Sequence, residues 1–343
     1  MHDFSPPKWL AGGHRMTLYA WAHQRRFPDL PDPTARFFDV EPGTQVLAHC
    51  HWQPSPLEHP TLVALHGLEG SSDAKYVLGI AHKALRAGFN VVRLNQRNCG
   101  GTEHLSEGLY HSGLTADVRA VMTELAEHDG LNRIAVAGYS LGGNLALRLA
   151  GQMSDDAPPW LRAVCAVSPT LELDTCMKAI ERPQNRIYER NFMSSLRRRM
   201  QLKAKLFPGK YDVSGIDRVR RIRAFDERFT APHHGFTSAA DYYHQAAAMR
   251  VVDRIRVPTL IITAEDDPFI PPEQFRDPRV TGNPHITLTL TKRGGHCAFI
   301  ERARDGYDGY WAEASVVEFV SEATDCSRPA GVDRLEAALA AGS

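Results

Sequence analysis

Short apolar runs, each closed by a polar or glycine-rich stretch, recur through the chain. At 61–65, 89–94, 133–137, 161–167 and 257–264, β-branched and aliphatic residues cluster in runs of five to eight. Such runs predict strands buried on both faces of a sheet. Two more strands are predicted at 36–40 and 45–52, joined by Glu41-Pro42-Gly43-Thr44, a turn by composition, and another at 285–291. Between the runs the period lengthens to that of a helix. Segments 72–87, 114–128 and 310–322 predict helices, the second carrying Leu114, Val118, Val121, Met122 and Leu125 on one face, and 144–150 is rich in strong helix formers. This alternation implies an α/β chain with a mostly parallel central sheet and helices on both faces.

The rhythm breaks at Ser168-Pro169. From 170 to 250 only helical segments are predicted, at 174–180, 188–207 and 238–249. An insertion at the C-terminal edge of a sheet commonly covers the site, so this stretch reads as a helical lid. The expected division is an N-terminal arm (1–33), a core (34–169 and 251–323), the lid (170–250) and a C-terminal tail (324–343), in which 332–341 could form a short helix. The arm is rich in Pro, His and aromatics, which suits an ordered segment packed on the core. His14 lies in it, and a lone turn histidine is more often hydrogen-bonded than functional.

Composition narrows the function. With 43% hydrophobic and 23% charged residues, the 343-residue chain reads as ordinary globular protein. Forty basic and forty acidic residues cancel, so the overall charge argues for no nucleic-acid partner. Charge is unevenly spread, however. Residues 186–223 carry twelve Arg/Lys against three acids (Glu189, Asp212, Asp217), a net +9 that the rest of the chain balances. Phe192, Leu196, Met200 and Phe207 fall near helical spacing there, with Arg197, Arg198, Arg199 and Lys203 among them. The basic lid is open to two readings, a solvated cap over a cleft or a face that meets anionic lipid peripherally, and composition favours the cap. Six cysteines (50, 99, 165, 176, 297, 326) lack metal-ligand spacing and suit reduced thiols. No signal pattern and no membrane-length apolar stretch is present, so a cytoplasmic address is expected, with no transmembrane segment. Composition leaves the oligomeric state open.

The chemistry centres on Gly138-Tyr139-Ser140-Leu141-Gly142, set between a predicted strand and a predicted helix. A serine flanked this way fits a nucleophile elbow, a turn so tight that glycine suits 138 and 142. A serine is a weak nucleophile until a base takes its proton, and the base needs a third group to orient it. Asp267 and His296 each follow a predicted strand, so all three would converge at one sheet edge. Asp267 is preferred to Asp266, since neighbours in extended chain face opposite sides and the residue before Pro268 is held extended. The loop at 66–73 lacks the Gly-Lys-Ser/Thr ending of a phosphate-binding loop. Arg97 and Cys99, in a polar loop after the strand at 89–94, are read as loop-bracing rather than catalytic, and Asp117 as a cap or brace of its helix.

With these motifs in hand, the sequence resembles the α/β-hydrolase fold family, and more narrowly its YheT-like branch of predicted hydrolases. The resemblance runs from residue 4 to about 322 and rests on Pro-Pro-x-Trp-Leu-x-Gly-Gly-His at 6–14, His-Gly-Leu-Glu-Gly-Ser at 66–71 and Gly-Tyr-Ser-Leu-Gly-Gly-Asn at 138–144. Asn-x-Arg-Asn-Cys-Gly-Gly at 95–101, Asp-Asp-Pro at 266–268 and Gly-Gly-His at 294–296 add to it. It departs at Arg15-Met16, where relatives tend to have Leu-Gln. The resemblance implies a serine esterase, carboxylesterase- or lipase-like, acting on a small-molecule or lipid-like ester without metal or organic cofactor. It implies Ser140 as nucleophile, His296 as base, Asp267 as its orienter, and an oxyanion hole from the backbone N–H groups of Leu68 and Leu141. Two alternatives stay open: an acyltransferase on the same scaffold, though no His-x4-Asp pairing occurs, and a non-catalytic binding protein.

Overall fold

The computed structural model describes residues 2–304 and 306–325. The expected tail helix at 332–341 lies outside the described residues. A single eight-stranded sheet runs in the order β1-β2-β4-β3-β5-β6-β7-β8. Its strands are β1 (Thr34–Glu41), β2 (Thr44–His51), β3 (Thr61–Leu65), β4 (Asn90–Leu94), β5 (Ile134–Tyr139), β6 (Leu161–Val167), β7 (Thr259–Ala264) and β8 (Ile286–Thr291). β1 pairs antiparallel with β2, and β2 with β4; every pairing from β4 onward is parallel.

The apolar runs are strands because they feed two cores at once. Alternate residues of β3–β7 divide between the sheet's faces. Val63, Leu65, Ile134, Val136, Val164 and Ile261 join the core on one side. Leu62, Ala64, Ala135, Ala137, Cys165 and Leu260 join that on the other. The second face is covered by α2 (Lys75–Arg86) and α11 (Trp311–Ala323), which bury Val77, Ile80, Trp311 and Val316. The first is covered by α3 (Thr115–Thr123), which continues as one π turn to His128, and α4 (Leu141–Met153). β8, at the edge, keeps the Ile-Thr-Leu-Thr-Leu-Thr alternation and is only partly buried.

Between β6 and β7 the regular elements are all helical, joined by loops: α5 (Leu173–Ile180), α6 (Arg186–Leu206), α7 (Ile222–Phe225), α8 (Ala231–His233), α9 (Ala239–Ala246) and short 3-10 and π turns. Before β1 stands α1 (Gly13–Ala22). It joins a small cluster in which Leu10 and Met16 pack against Ala298, Ile300 and Tyr310. α2 starts at Lys75, three residues after the expected Ser72. Ser72 is held out of the helix because its N–H donates to Asn95 Oδ1 and its carbonyl accepts from Arg93 Nη1. Short α10 (Pro278–Thr281) precedes β8. All five described cysteines are free.

Candidate active site

Parallel strands bring their C-terminal ends to one edge, and the loops leaving β3, β5, β7 and β8 meet there. Ser140 follows β5 and adopts φ 54°, ψ −116°, a strained backbone outside the ordinary wells. The turn leaves no room for side chains at its feet. A Cβ at Gly138 would stand 2.0 Å from the Gly142 carbonyl oxygen, and one at Gly142 2.5 Å from that of His66. Just beyond, the fully buried Asn144 ties the elbow helix to the inter-strand helices. Its amide donates to the carbonyls of Ser112 and Ala246, and its Oδ1 accepts from the N–H of Ala248.

Asp267 and His296 leave β7 and β8. Asp267 Oδ2 lies 2.9 Å from His296 Nδ1, while Oδ1 accepts the N–H groups of Phe269 and Ile270. Asp266 turns the other way and accepts from Gly295 N–H at 2.9 Å. Burial lowers the affinity of His296 for its proton, but the Asp267 carboxylate, with Cys297, outweighs that and holds the imidazole pKa well above 6.5. The Phe269 ring stands edge-on to the imidazole, 4.7 Å between centroids.

One contact to the histidine comes from the far end of the chain. The Thr17 hydroxyl on α1 accepts the backbone N–H of His296 at 2.8 Å and donates to the Gly13 carbonyl at 2.7 Å. Gly13 itself lies against the acid loop, where a Cβ would fall 1.7 Å from the Asp266 carbonyl oxygen. His14 is exposed and rests on Tyr188 of α6, with its Nδ1 3.3 Å from the hydroxyl.

The loop after β3 completes the edge. His66 is fully buried, and burial pushes its pKa down to about 4, so the neutral ring bonds the Gly67 carbonyl and accepts from Gln96 N–H. Gly67 N–H donates to the Tyr76 hydroxyl. The N–H of Leu68 is engaged in no hydrogen bond among the described residues, and Leu141 opens α4, where a helix leaves its N–H groups unpaired. Glu69, at φ 56°, is bound to Tyr110 by two hydrogen bonds, and its Oε1 lies 2.7 Å from Arg199 Nη1 of α6. Sequence reasoning placed Arg199 in a solvated basic run and missed this pairing; nothing in that run distinguishes Arg199 from Arg198. Arg97 braces loops as expected, donating to Asp117 and Glu41, and Cys99 is buried.

Two spaces meet at Ser140. One is narrow and apolar, running beneath α5 and α6 between Leu141, Leu173, Met177 and Phe225. The other is an open cleft of about 1040 Å³ between α1, the loop after β3 and α6. Ser140, His296, Leu68, Phe192, Arg199 and Phe269 line both. Among the described residues no group of three or more His, Cys, Asp or Glu could hold a metal ion, and no helix is long and apolar enough to cross a membrane.

Comparison with known proteins agrees with this architecture. The family model for the alpha/beta hydrolase fold matches residues 60–303. YheT of Escherichia coli (strain K12), which bears a provisional name as an esterase, is 36% identical over 301 residues, 87% of each chain. Phospholipase ABHD3 of Mus musculus is 30% identical over 244 residues, 71% of this chain but only 59% of that protein. Among solved structures, the Pyrococcus furiosus esterase Pf2001 superposes with a TM-score of 0.56 at 16% identity, covering 88% of this chain and 96% of that one.

Proposed function

The chain belongs to the α/β-hydrolase fold family, in its YheT-like branch, and from that premise we propose that it is a serine hydrolase of carboxylic esters working through an acyl-enzyme. The observation that carries the reading is the Asp267–His296 pair beside a strained Ser140, at the junction of an apolar cavity and an open cleft. Ser140 Oγ attacks the ester carbonyl while His296 Nε2 takes its proton, and the Asp267 carboxylate at Nδ1 stabilises the imidazolium that forms. The N–H groups of Leu68 and Leu141 receive the oxyanion. His296 then protonates the departing alkoxide, and a water activated by the same imidazole releases the acid. The acyl chain lies in the apolar cavity and the alcohol leaves through the cleft, with the helices between β6 and β7 acting as the lid.

A fluorophosphonate probe should label the protein, and Ser140→Ala should abolish labelling and turnover of p-nitrophenyl esters. Labelling that survives the substitution refutes the assignment. A chain-length series of those esters reads the acyl preference, and product analysis with an added alcohol separates hydrolysis from acyl transfer.

A further inference from the structure

The cleft that opens on Ser140 is walled by two helices whose exposed faces carry cations and large apolar side chains but no acid. α1 contains no Asp or Glu, and it leaves Trp21 66% and Leu18 37% exposed, with Arg15 beside them. α6, about 30 Å long by its 21 residues, leaves Ile187 61%, Leu202 39% and Leu206 41% exposed. Arg190, Arg198 and Lys205 lie exposed among them. The only acid in α6, Glu189, is buried and ion-paired with Arg221. Leu18 and Trp21 on one side, and Ile187, Arg198 and Leu202 on the other, all line the open cleft. Of the cleft's three acids, Glu69 and Asp73 are ion-paired with Arg199 and Arg93, and the backbone carbonyl of the third, Glu103, accepts from the Lys203 ammonium, whose charge its carboxylate also feels.

We propose that α1 and the outer face of α6 together dock the protein on an anionic lipid surface, with the cleft mouth facing that surface. The binding stands on these two helices alone; its role, delivery of ester from the lipid phase to Ser140, rests on the ester-hydrolase reading. Interleaved cations and bulky apolar residues on a helix suit the headgroup boundary, where tryptophan is at home and each cation gains from anionic lipid. A second copy of the chain fits this face poorly. A two-fold contact would set this face, with Arg190, Arg198 and Lys205, against a second copy of itself, cations facing cations with no acid between. Lipid supplies both the negative charge and the apolar interior, on both sides of the cleft at once.

The test uses the full chain and vesicles of ether-linked phosphatidylglycerol or phosphatidylcholine, whose ether bonds no esterase cleaves. The protein should float with the phosphatidylglycerol vesicles, weakly with phosphatidylcholine, and less as salt rises. Each cation removed should weaken partitioning about fivefold, from about 1 kcal/mol per charge, so Arg190→Gln/Arg198→Gln/Lys205→Gln should lose about a hundredfold. Trp21→Ala/Leu202→Ala should lose tenfold or more. All five side chains are exposed, and circular dichroism verifies that the variants fold. No flotation, equal flotation with both lipids, or flotation that both variants retain overturns the proposal. So does concentration-dependent dimerisation through this face without vesicle binding. Hydrolysis of a water-soluble ester is read in parallel. Its presence without flotation sinks the docking proposal alone, and flotation without it sinks the esterase reading alone.

Discussion

Replacing Arg199 with Met removes one charge from a buried pair while keeping most of the side chain's length. The Glu69 side chain is 5% exposed and that of Arg199 10%, so water screens neither. The Nη1–Oε1 separation of 2.7 Å corresponds to an attraction of about 6 kcal/mol at an effective dielectric of about 20. That attraction is Coulombic, because the Nη1–H is not aligned for a hydrogen bond. Burial already pushes the Glu69 carboxyl pKa up, with Arg199 and Tyr110 pulling against it. In Arg199→Met the carboxylate keeps only the Tyr110 hydroxyl, and a buried pair broken on one side loses about 3–5 kcal/mol. Part of that loss is escaped by taking up a proton. The folded variant then binds more protons than the unfolded chain, so its stability falls as pH rises, and the deficit is larger at pH 8 than at pH 5. Arg199→Met/Glu69→Gln removes both charges and should lie within about 1–2 kcal/mol of the parent, because the glutamine amide oxygen can still accept from Tyr110. Urea midpoints at constant slope, taken at both pH values, give the cycle. If the double variant is as unstable as the two single losses added together, or if the Arg199→Met deficit is flat with pH, the pair is not coupled and the reasoning fails.

Thr17→Val keeps the shape but strands the part-buried His296 N–H, a loss of about 1–3 kcal/mol. Falling on catalysis it should appear as a drop of roughly fivefold to a hundredfold in kcat per active site counted by fluorophosphonate titration, with KM unchanged, restored by Thr17→Ser; a parental kcat per titrated site would mark a mere folding effect. Asp267→Asn should cost about 10⁴ in turnover of a p-nitrophenyl ester, Asp266→Asn far less, and the reverse order would exchange their roles. An imidazolium cannot take the Ser140 proton, so kcat/KM of the parent should rise with pH through an inflection above 6.5, and Asp267→Asn should move that inflection down. An unmoved inflection would mean that another group titrates.

The sheet and the elbow were legible because their causes are local in sequence. A strand buried on both faces must be apolar along its whole length, and a turn whose Cβ positions would strike carbonyl oxygens at 2.0 and 2.5 Å must use glycine. What stayed hidden depends on partners distant in the chain. Arg197, Arg198 and Arg199 are identical letters, yet on one helix they face three ways. Arg197 donates to the carbonyls of Met193 and Asp217, Arg198 is exposed at the cleft, and Arg199 points inward to Glu69. Helical periodicity separates these directions only once the position of the core is known. The start of α2 differs from the expected one for a related reason, since Arg93 of β4 and Asn95 just past that strand hold Ser72 out of the helix.

The segment before β1 carries this furthest. Its Gly-Gly-His motif was recognisable by resemblance but had no physical cause in the local sequence. In the fold, Gly13 is the one residue type that lets α1 touch the Asp266 backbone, and that approach brings the Thr17 hydroxyl to His296 N–H across 279 positions of chain. The departure at Arg15-Met16 falls on the same helix and leaves this contact intact. Arg15 points outward and donates to the Trp9 carbonyl, while Met16 is fully buried between Leu10 and the chain just after the histidine, with Ile300 N–H directed at its sulfur. A methionine can fill an irregular gap that a polar glutamine would enter only with its amide satisfied. The arm therefore keeps its grip on the histidine loop through apolar packing at 16 and one hydroxyl at 17, so a substitution at either position reaches His296 through the backbone of its loop.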